Sequence, residues 1–382
     1  MRAGMQSRSQ VQKRSVAWVY RYAETFGGSF NSLLDVLDHR DQTAFDLTAV
    51  LPAPGSSSRH FEARGVPADF CDLLPGERSW RFLRAVLAFG ALIRRQTISL
   101  VYFPDYGLWR SSALVGARLV RAPTVIHLRS PISQGHARDP WLCSANAIIG
   151  NSQATVQALR GRVADGKIHV IYNFIDFDAF GPGPNCRANF FPEQHPLVGF
   201  VGLFRPEKGV EYFLQMARIL NHRLPEVRFL AVGGDSPVRP CGWFEKMQNL
   251  ASTLGISDVV RFAGHRSDIP TIMRSLDVLV VPSLNEGFGR VIIEANAVGV
   301  PVVGAAAAAI PEIIEDGVTG LLVPARDPAS MAEAVVRVLG DPEWKGRVSE
   351  VAPVRVRERF SPALQVGKIE DVWRLVLGMS RN

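Results

Sequence analysis

One rhythm constrains this chain more than any other feature. Short runs of β-branched and aromatic residues alternate with longer stretches of helical periodicity, in two series separated by a single proline-rich interruption. Strand, helix, strand is the pattern of a parallel sheet, because parallel neighbours need a crossover and a helix supplies it. In the first series the expected strands are Val16–Tyr20, Leu47–Leu51, Leu100–Phe103, Thr124–Leu128, Ala147–Gly150 and His169–Tyr172. The helices between them are Ser29–Leu37, Trp80–Arg95, Arg110–Val120 and Ser152–Leu159. Phe180–Pro196 carries four prolines, two glycines and no periodicity, and reads as a linker. The second series has strands at Leu197–Val201, Arg228–Val232, Val259–Ala263, Val278–Val281, Pro301–Gly304 and Leu321–Val323. Its helices include Val210–Leu220, Gly242–Leu254, Ile269–Ser275, Arg290–Val298, Ile310–Asp316 and Ala329–Leu339. The expectation is an α/β protein of two Rossmann-like, doubly wound parallel sheets facing across a cleft. Residues 1–190 form the first domain and 191–359 the second, with a last helix in 360–382 packing back on the first. Such sheets bind ligands at the carboxyl ends of their strands, and hence in the cleft.

With 47% hydrophobic and 21% charged residues, the chain has an ordinary globular composition. Cys71, Cys143, Cys186 and Cys241 are scattered and form neither a zinc pattern nor a disulfide framework. A reducing, cytoplasmic location fits, with or without attachment to the inner face of the membrane. The most membrane-like stretch, Val291–Ile310, is interrupted by Glu294, Asn296 and Pro301, which a spanning helix tolerates poorly. Charge is uneven: residues 1–190 hold 22 Lys and Arg against 14 Asp and Glu, whereas 191–382 hold 21 against 22. An anionic partner should therefore meet the first half. No aromatic-interleaved basic motif points to nucleic acid, which leaves an anionic membrane surface, a phosphorylated acceptor or simple solubility. Trp80–Arg95 reads WRFLRAVLAFGALIRR, either a core-facing helix with solvated arginines or a helix that lies on a membrane.

Two segments carry the chemistry. In Pro282-Ser-Leu-Asn-Glu286-Gly287-Phe288-Gly289-Arg290 a strand ends, a glycine-bearing loop follows and a helix begins. Open N–H groups at a helix start suit a diphosphate, and Gly287 and Gly289 permit close approach to the main chain. Glu286 in the loop and Glu294 a turn into the helix can grip two separate diols, as an acidic residue does in dinucleotide sites. A solvated helix face would explain Glu294 as well. In Gly199-Phe-Val-Gly-Leu-Phe-Arg205-Pro-Glu-Lys208-Gly209 two cations sit on a loop at a strand's carboxyl end, where they can neutralise a pyrophosphate leaving group. Asp176-Phe177-Asp178 is formally a metal-binding DxD, although its position reads as a turn.

VGLFRPEKGVEYFL, RFAGHRSDIPTIMRSLDVLVVPSLNEGFGRVIIEANAVGVPVV and IPEIIEDGVTGLLVPARDPASMAEAV together resemble the C-terminal domain of the family 4 (group 1) glycosyltransferases. The resemblance runs from about Ala147 to Leu339 and more weakly beyond. It implies the GT-B fold and a retaining, metal-independent transfer of sugar from a nucleotide-diphosphate donor. The acceptor would be a carbohydrate, lipid-linked or small-molecule hydroxyl, and no cofactor or metal is expected. By this resemblance Glu286 contacts the donor sugar, Glu294 the ribose, and Phe288 and Gly289 offer amides. Lys208 binds the diphosphate, Gly233-Gly234 and Gly264-His265-Arg266 border the nucleotide, Gly27-Gly28 lies near the phosphates, and His127 lies near the reacting centre. Four positions depart from the family. Leu203 stands at the usual arginine, with Arg205 two places later, so that either Arg205 substitutes or Lys208 and amides suffice. Ala307-Ala308-Ala309 replaces a glycine pair, Phe174 replaces a turn glycine, and Ser29-Phe30 follows the glycine pair where an acidic residue is usual. A nucleotide-sugar epimerase or hydrolase, or a non-catalytic binding module, would fit the same architecture.

Overall fold

The apolar runs become two sheets, each parallel throughout, in the computed structural model of the chain, which describes residues 13–24, 27–74, 79–104, 111–133, 135–191, 194–236 and 240–380. The first sheet contains β1 (Arg14–Val19), β2 (Phe45–Leu51), β3 (Ala68–Phe70), β4 (Leu100–Phe103), β5 (Thr124–Leu128), β6 (Ala147–Gly150) and β7 (Ile168–Val170), in the order β3-β2-β1-β4-β5-β6-β7. The second contains β8 (Leu197–Val201), β9 (Arg228–Val232), β10 (Val260–Gly264), β11 (Val278–Val281), β12 (Val302–Ala305) and β13 (Gly320–Val323), in the order β10-β9-β8-β11-β12-β13. Central strands such as β4 and β11 are buried along their whole length. Helices cover both faces of a parallel sheet, so its strands read as unbroken apolar runs rather than alternations.

In the first lobe, α1 (Gly27–Asp38) and α2 (Ser56–Glu62) lie over one face, and α3 (Trp80–Arg95), α4 (Ser112–Leu119), α5 (Pro140–Cys143) and α6 (Gln153–Val156) belong to the other. The second lobe adds α7 (Val210–Arg223), α8 (Trp243–Thr253), α9 (Ile269–Met273), α10 (Arg290–Ala297), α11 (Ile310–Ile313), α12 (Pro328–Gly340) and α13 (Pro342–Phe360). The last helix, α14 (Pro362–Leu377), returns to the first lobe, where Trp373 is fully buried with its ring centroid 5.2 Å from those of both Phe45 and Tyr102. The chain changes cores between Phe174, packed in the first lobe, and Ile175, packed in the second. Phe177 and, from the proline-rich segment, Phe180, Cys186 and Phe191 also join the second core, so that segment is bound to one lobe rather than spanning a gap.

Strand order reverses at β1/β4 in the first sheet and at β8/β11 in the second. These switch points open crevices at the carboxyl ends of the strands, where adjacent connections depart to opposite faces. Four elements lie outside the expected set: the three-residue edge strand β3, the short α2 and α5, and α13. Helix α13 contains Pro353 and much charge, which masks its periodicity. Arg110, the expected start of one helix, lies outside the described residues.

Candidate active site

Two loops leave the switch point of the second sheet. One follows β8 and ends in a tight turn, Pro206–Lys208, closed by Gly209 at φ +67°. A Cβ at Gly209 would stand 2.3 Å from the Pro282 carbonyl oxygen, so only glycine lets this turn lie against the loop that follows β11. The Leu284 N–H donates to the Glu207 carbonyl at 2.8 Å and ties the two loops together. The outcome is a pair of side chains from distant parts of the sequence: Lys208 Nζ donates to Glu286 Oε2 at 2.6 Å. Both are mostly sheltered, with side chains 26% and 13% exposed.

Helix α10 starts directly after Gly289, which takes φ +90° and provides no side-chain cap. An uncapped helix start leaves backbone N–H groups and the positive end of the dipole facing the cleft. One turn further in, Glu294 is buried and lies 3.4 Å from Arg290 Nε. Burial pushes the Glu294 carboxyl above its ordinary pKa, and the Arg290 guanidinium opposes that shift. Arg290 also reaches across the cleft, donating to Ser32 Oγ at 2.9 Å and Asp35 Oδ2 at 2.7 Å on α1.

The first lobe presents Arg129, the residue after β5. It is buried, with Nε donating to the Pro104 carbonyl at 2.8 Å and Nη1 to Asn173 Oδ1 at 3.3 Å. Its own carbonyl accepts from Asn151 Nδ2 at 3.0 Å. A Cβ on Gly287 would stand 2.4 Å from that same carbonyl. Gly287 is therefore needed for the lobes to touch, whereas the sequence reading used it for ligand approach. Between these walls lies a cavity of about 260 Å³, lined by Lys208, Glu286, Phe288, Gly289 and Arg290 from one lobe and Ser32, Arg129, Asn151 and Asn173 from the other.

The remaining expected residues fall elsewhere. His127 does not line this cavity. It is 2% exposed in the first-lobe core, and its Nδ1 lies 2.6 Å from the Tyr102 hydroxyl. Burial and the nearby Arg129 charge hold its imidazole well below the ordinary pKa. Arg205 also stands outside the cavity wall, 3.6 Å from Glu207, while Leu203 is part of that wall. Arg205 pairs with a carboxylate on its own turn. Gly233, at φ +125°, packs so closely on the loop after β8 that a Cβ would overlap the Gly202 carbonyl, and Gly234 backs onto His265. His265 Nε2 donates to the Asp235 carbonyl at 2.8 Å, and Arg266 is paired with Asp268 at 2.8 Å. Gly27 and Gly28 are the first two residues of α1, the helix that supplies Ser32 and Asp35. Ala308 takes φ +48°, a left-handed conformation that costs alanine roughly 1 kcal/mol and glycine little. Asp176 accepts from the Asp178 N–H at 2.9 Å, as a turn residue does. Sequence reading missed Ser32, Asp35, Arg129, Asn151 and Asn173, and it named Arg290 only as a helix start. Arg129, Asn151 and Asn173 left a signal, since each directly follows the carboxyl end of an expected strand.

A sequence profile described as glycosyltransferase family 4 matches residues 26–179, and one described as glycosyl transferases group 1 matches residues 195–341. The chain belongs to the family 4 (group 1) glycosyltransferases. Within this family, D-inositol 3-phosphate glycosyltransferase of Corynebacterium urealyticum is 32% identical over 247 residues, covering 58% of this chain and 57% of that protein. The Mycobacterium tuberculosis protein of the same name is 35% identical over 226 residues, covering 56% and 45%. The chain thus spans about half the length of the curated relatives it matches. Anabaena HepE, crystallised with UDP and glucose, superposes with a TM-score of 0.81 at 23% identity over 94% of this chain and 98% of that one. Sucrose-phosphate synthase of Thermosynechococcus elongatus gives 0.77 at 23% identity over 96% and 100%. These superpositions identify the fold of this family member as GT-B.

Proposed function

We propose that the protein is a retaining glycosyltransferase that moves a sugar from a nucleotide-diphosphate donor to an acceptor hydroxyl, in the cytoplasm and without a divalent metal. One observation carries this reading: Lys208 and Glu286 meet 2.6 Å apart beside the uncapped start of α10, inside a cavity shared by both lobes. A diphosphate leaving group needs positive charge and N–H donors, and Lys208 with the α10 amides supplies both. Glu286 accepts hydroxyls of the transferred sugar, and Glu294 accepts those of the ribose. His265 and Arg266, following β10, border the base, and Gly233 shapes the loop before them. Arg129 takes the place at the reacting centre that the sequence reading assigned to His127, since it faces the cavity and is held rigidly by Pro104 and Asn173.

In the reaction the bond from the anomeric carbon to the leaving phosphate breaks, and the acceptor oxygen bonds to that carbon on the same face. The acceptor's proton passes to the departing phosphate oxygen, so the step needs no separate base. Closing the lobes excludes water and favours the acceptor over hydrolysis. HepE has been crystallised with UDP and with UDP-glucose, which supports a UDP-sugar as the first donor to test. The acceptor is a carbohydrate, lipid-linked or small-molecule hydroxyl.

The decisive experiment measures transfer from a panel of nucleotide sugars, with and without acceptor, in excess chelator. Transfer that requires the acceptor and survives chelation is expected. Glu286→Gln should lower it on the order of a hundredfold or more while the melting temperature stays near wild type. Donor turnover without acceptor would make the protein a hydrolase or epimerase, and loss of activity in chelator would end the metal-free reading.

A further inference from the structure

Helix α3 has two apolar faces, and the core uses only one. Ala85, Val86, Phe89, Leu92 and Ile93 are buried against the sheet and α4. On the opposite side Trp80, Leu83 and Leu87 are 71%, 59% and 54% exposed, at spacings that place them along one stripe. Arg81 and Arg84 flank the stripe, and Arg94 and Arg95 end it, all of them exposed. α3 leans on α4 where Gly116 meets the Val86 carbonyl, close enough that a Cβ would stand 2.7 Å away.

The amino end of α3 lies at the carboxyl edge of the sheet, on the rim of the first lobe. There Trp80, Arg81 and Arg84, together with Phe70 at the end of β3 and Asp72 after it, line a cavity of about 520 Å³. Phe70 is itself 44% exposed. Apolar groups that include a tryptophan, bordered by arginines, combine what a bilayer interface selects: rings and aliphatic chains for the acyl boundary, guanidinium groups for the phosphates. Among the described residues, Asp72 and Asp69 are the acidic groups nearby. Asp69 receives a hydrogen bond from Gln96 and lies 4.0 Å from Arg95. The first half of the chain, with 22 Lys and Arg against 14 Asp and Glu, strengthens the attraction to an anionic surface.

We infer that the outer face of α3 docks on an anionic bilayer, with Trp80, Leu83 and Leu87 in the interface and Arg81 and Arg84 on lipid phosphates. Docking there sets the rim of the first lobe beside the lipid headgroups. The inference does not depend on the transferase reading.

The test is co-flotation of the full chain with vesicles of phosphatidylglycerol and phosphatidylcholine, against vesicles of phosphatidylcholine alone. Binding should require the anionic lipid and fall as salt rises. R81E/R84E should lower the bound fraction on the order of tenfold, and W80S/L83S/L87S should do the same. Melting curves and size-exclusion profiles of both variants should match wild type. If the apolar triple variant loses its fold, the arginine variant alone decides the matter, since its changes are all at the surface. Equal flotation of R81E/R84E and wild type overturns the inference. So does an absence of flotation, including the case where wild type self-associates through this face and the variants do not.

Discussion

His127 and Arg129 stand two residues apart, yet one is in the core and the other is in the cleft. His127 is the fourth residue of β5 and points into the packed face shared with Tyr102, whereas Arg129 follows the last paired residue and leaves with the turning backbone. Burial pushes the Tyr102 hydroxyl above its ordinary pKa, and the nearby Arg129 charge opposes that shift. The folded-state pKa of His127 is depressed, whereas an unfolded imidazole takes a proton near pH 6.5. Below that pH only the unfolded chain gains the proton, so this residue costs stability as pH falls, at up to about 1.4 kcal/mol per pH unit. Buried Glu294 and Asp35, with raised pKa values, act in the opposite direction and persist in a variant. His127→Gln should therefore flatten the loss of stability between pH 6.5 and 5.5, as read from urea midpoints. An unchanged slope would locate the acid sensitivity in other groups.

Helices α1 and α10 belong to different lobes, and Arg290 ties them together. Arg290 and Asp35 are each only 17% exposed at their side chains and 2.7 Å apart, so the pair is shielded from the screening that weakens surface bridges. The same guanidinium holds Glu294, the proposed ribose acceptor, so lobe closure and nucleotide recognition share one group. Asp35→Asn should leave each lobe folded, weaken nucleotide binding about tenfold by calorimetry and enlarge the radius of gyration seen by X-ray scattering. If binding and dimensions both stay at wild-type values, the tie has no part in closure. The two partners are 255 residues apart, which explains why Asp35 was not legible beforehand. Glu286 and Lys208, which line the cavity, could be placed from sequence because each lies in a loop that directly follows a strand of the second sheet, whereas Glu294 is buried beside Arg290 and is not part of the cavity wall. Gly287 was legible as an essential glycine, but its cause lies in the Arg129 carbonyl of the other lobe.

At the scale of the molecule, α14 fastens the end of the chain to the lobe where the chain began. Trp373 packs among Trp18, Phe45 and Tyr102, and Arg374 lies 3.3 Å from Asp41. Trp373→Ala should destabilise the first lobe by about 3–5 kcal/mol through the cavity it leaves. The buried indole N–H finds no partner among the described residues, so Trp373→Phe should cost clearly less. Denaturant titration of both variants checks the order, and equal losses would mean that the indole ring has been misjudged as the anchor. Among the described residues no helix is long and apolar enough to cross a membrane.

The sequence by itself determined the two parallel sheets and the half of the site that the second lobe builds. Leu100–Phe103, Thr124–Leu128, Ala147–Gly150, Leu197–Val201, Arg228–Val232 and Val278–Val281 are strands with the bounds their apolar runs suggest, since burial on both faces writes itself into adjacent residues. The tertiary structure alone decided which side chains meet across the cleft. It also decided that the edge strand β3 and the charged, proline-bearing α13 form at all. Periodicity and motif spacing are local, whereas a cleft is made by two lobes whose contacting residues lie hundreds of positions apart.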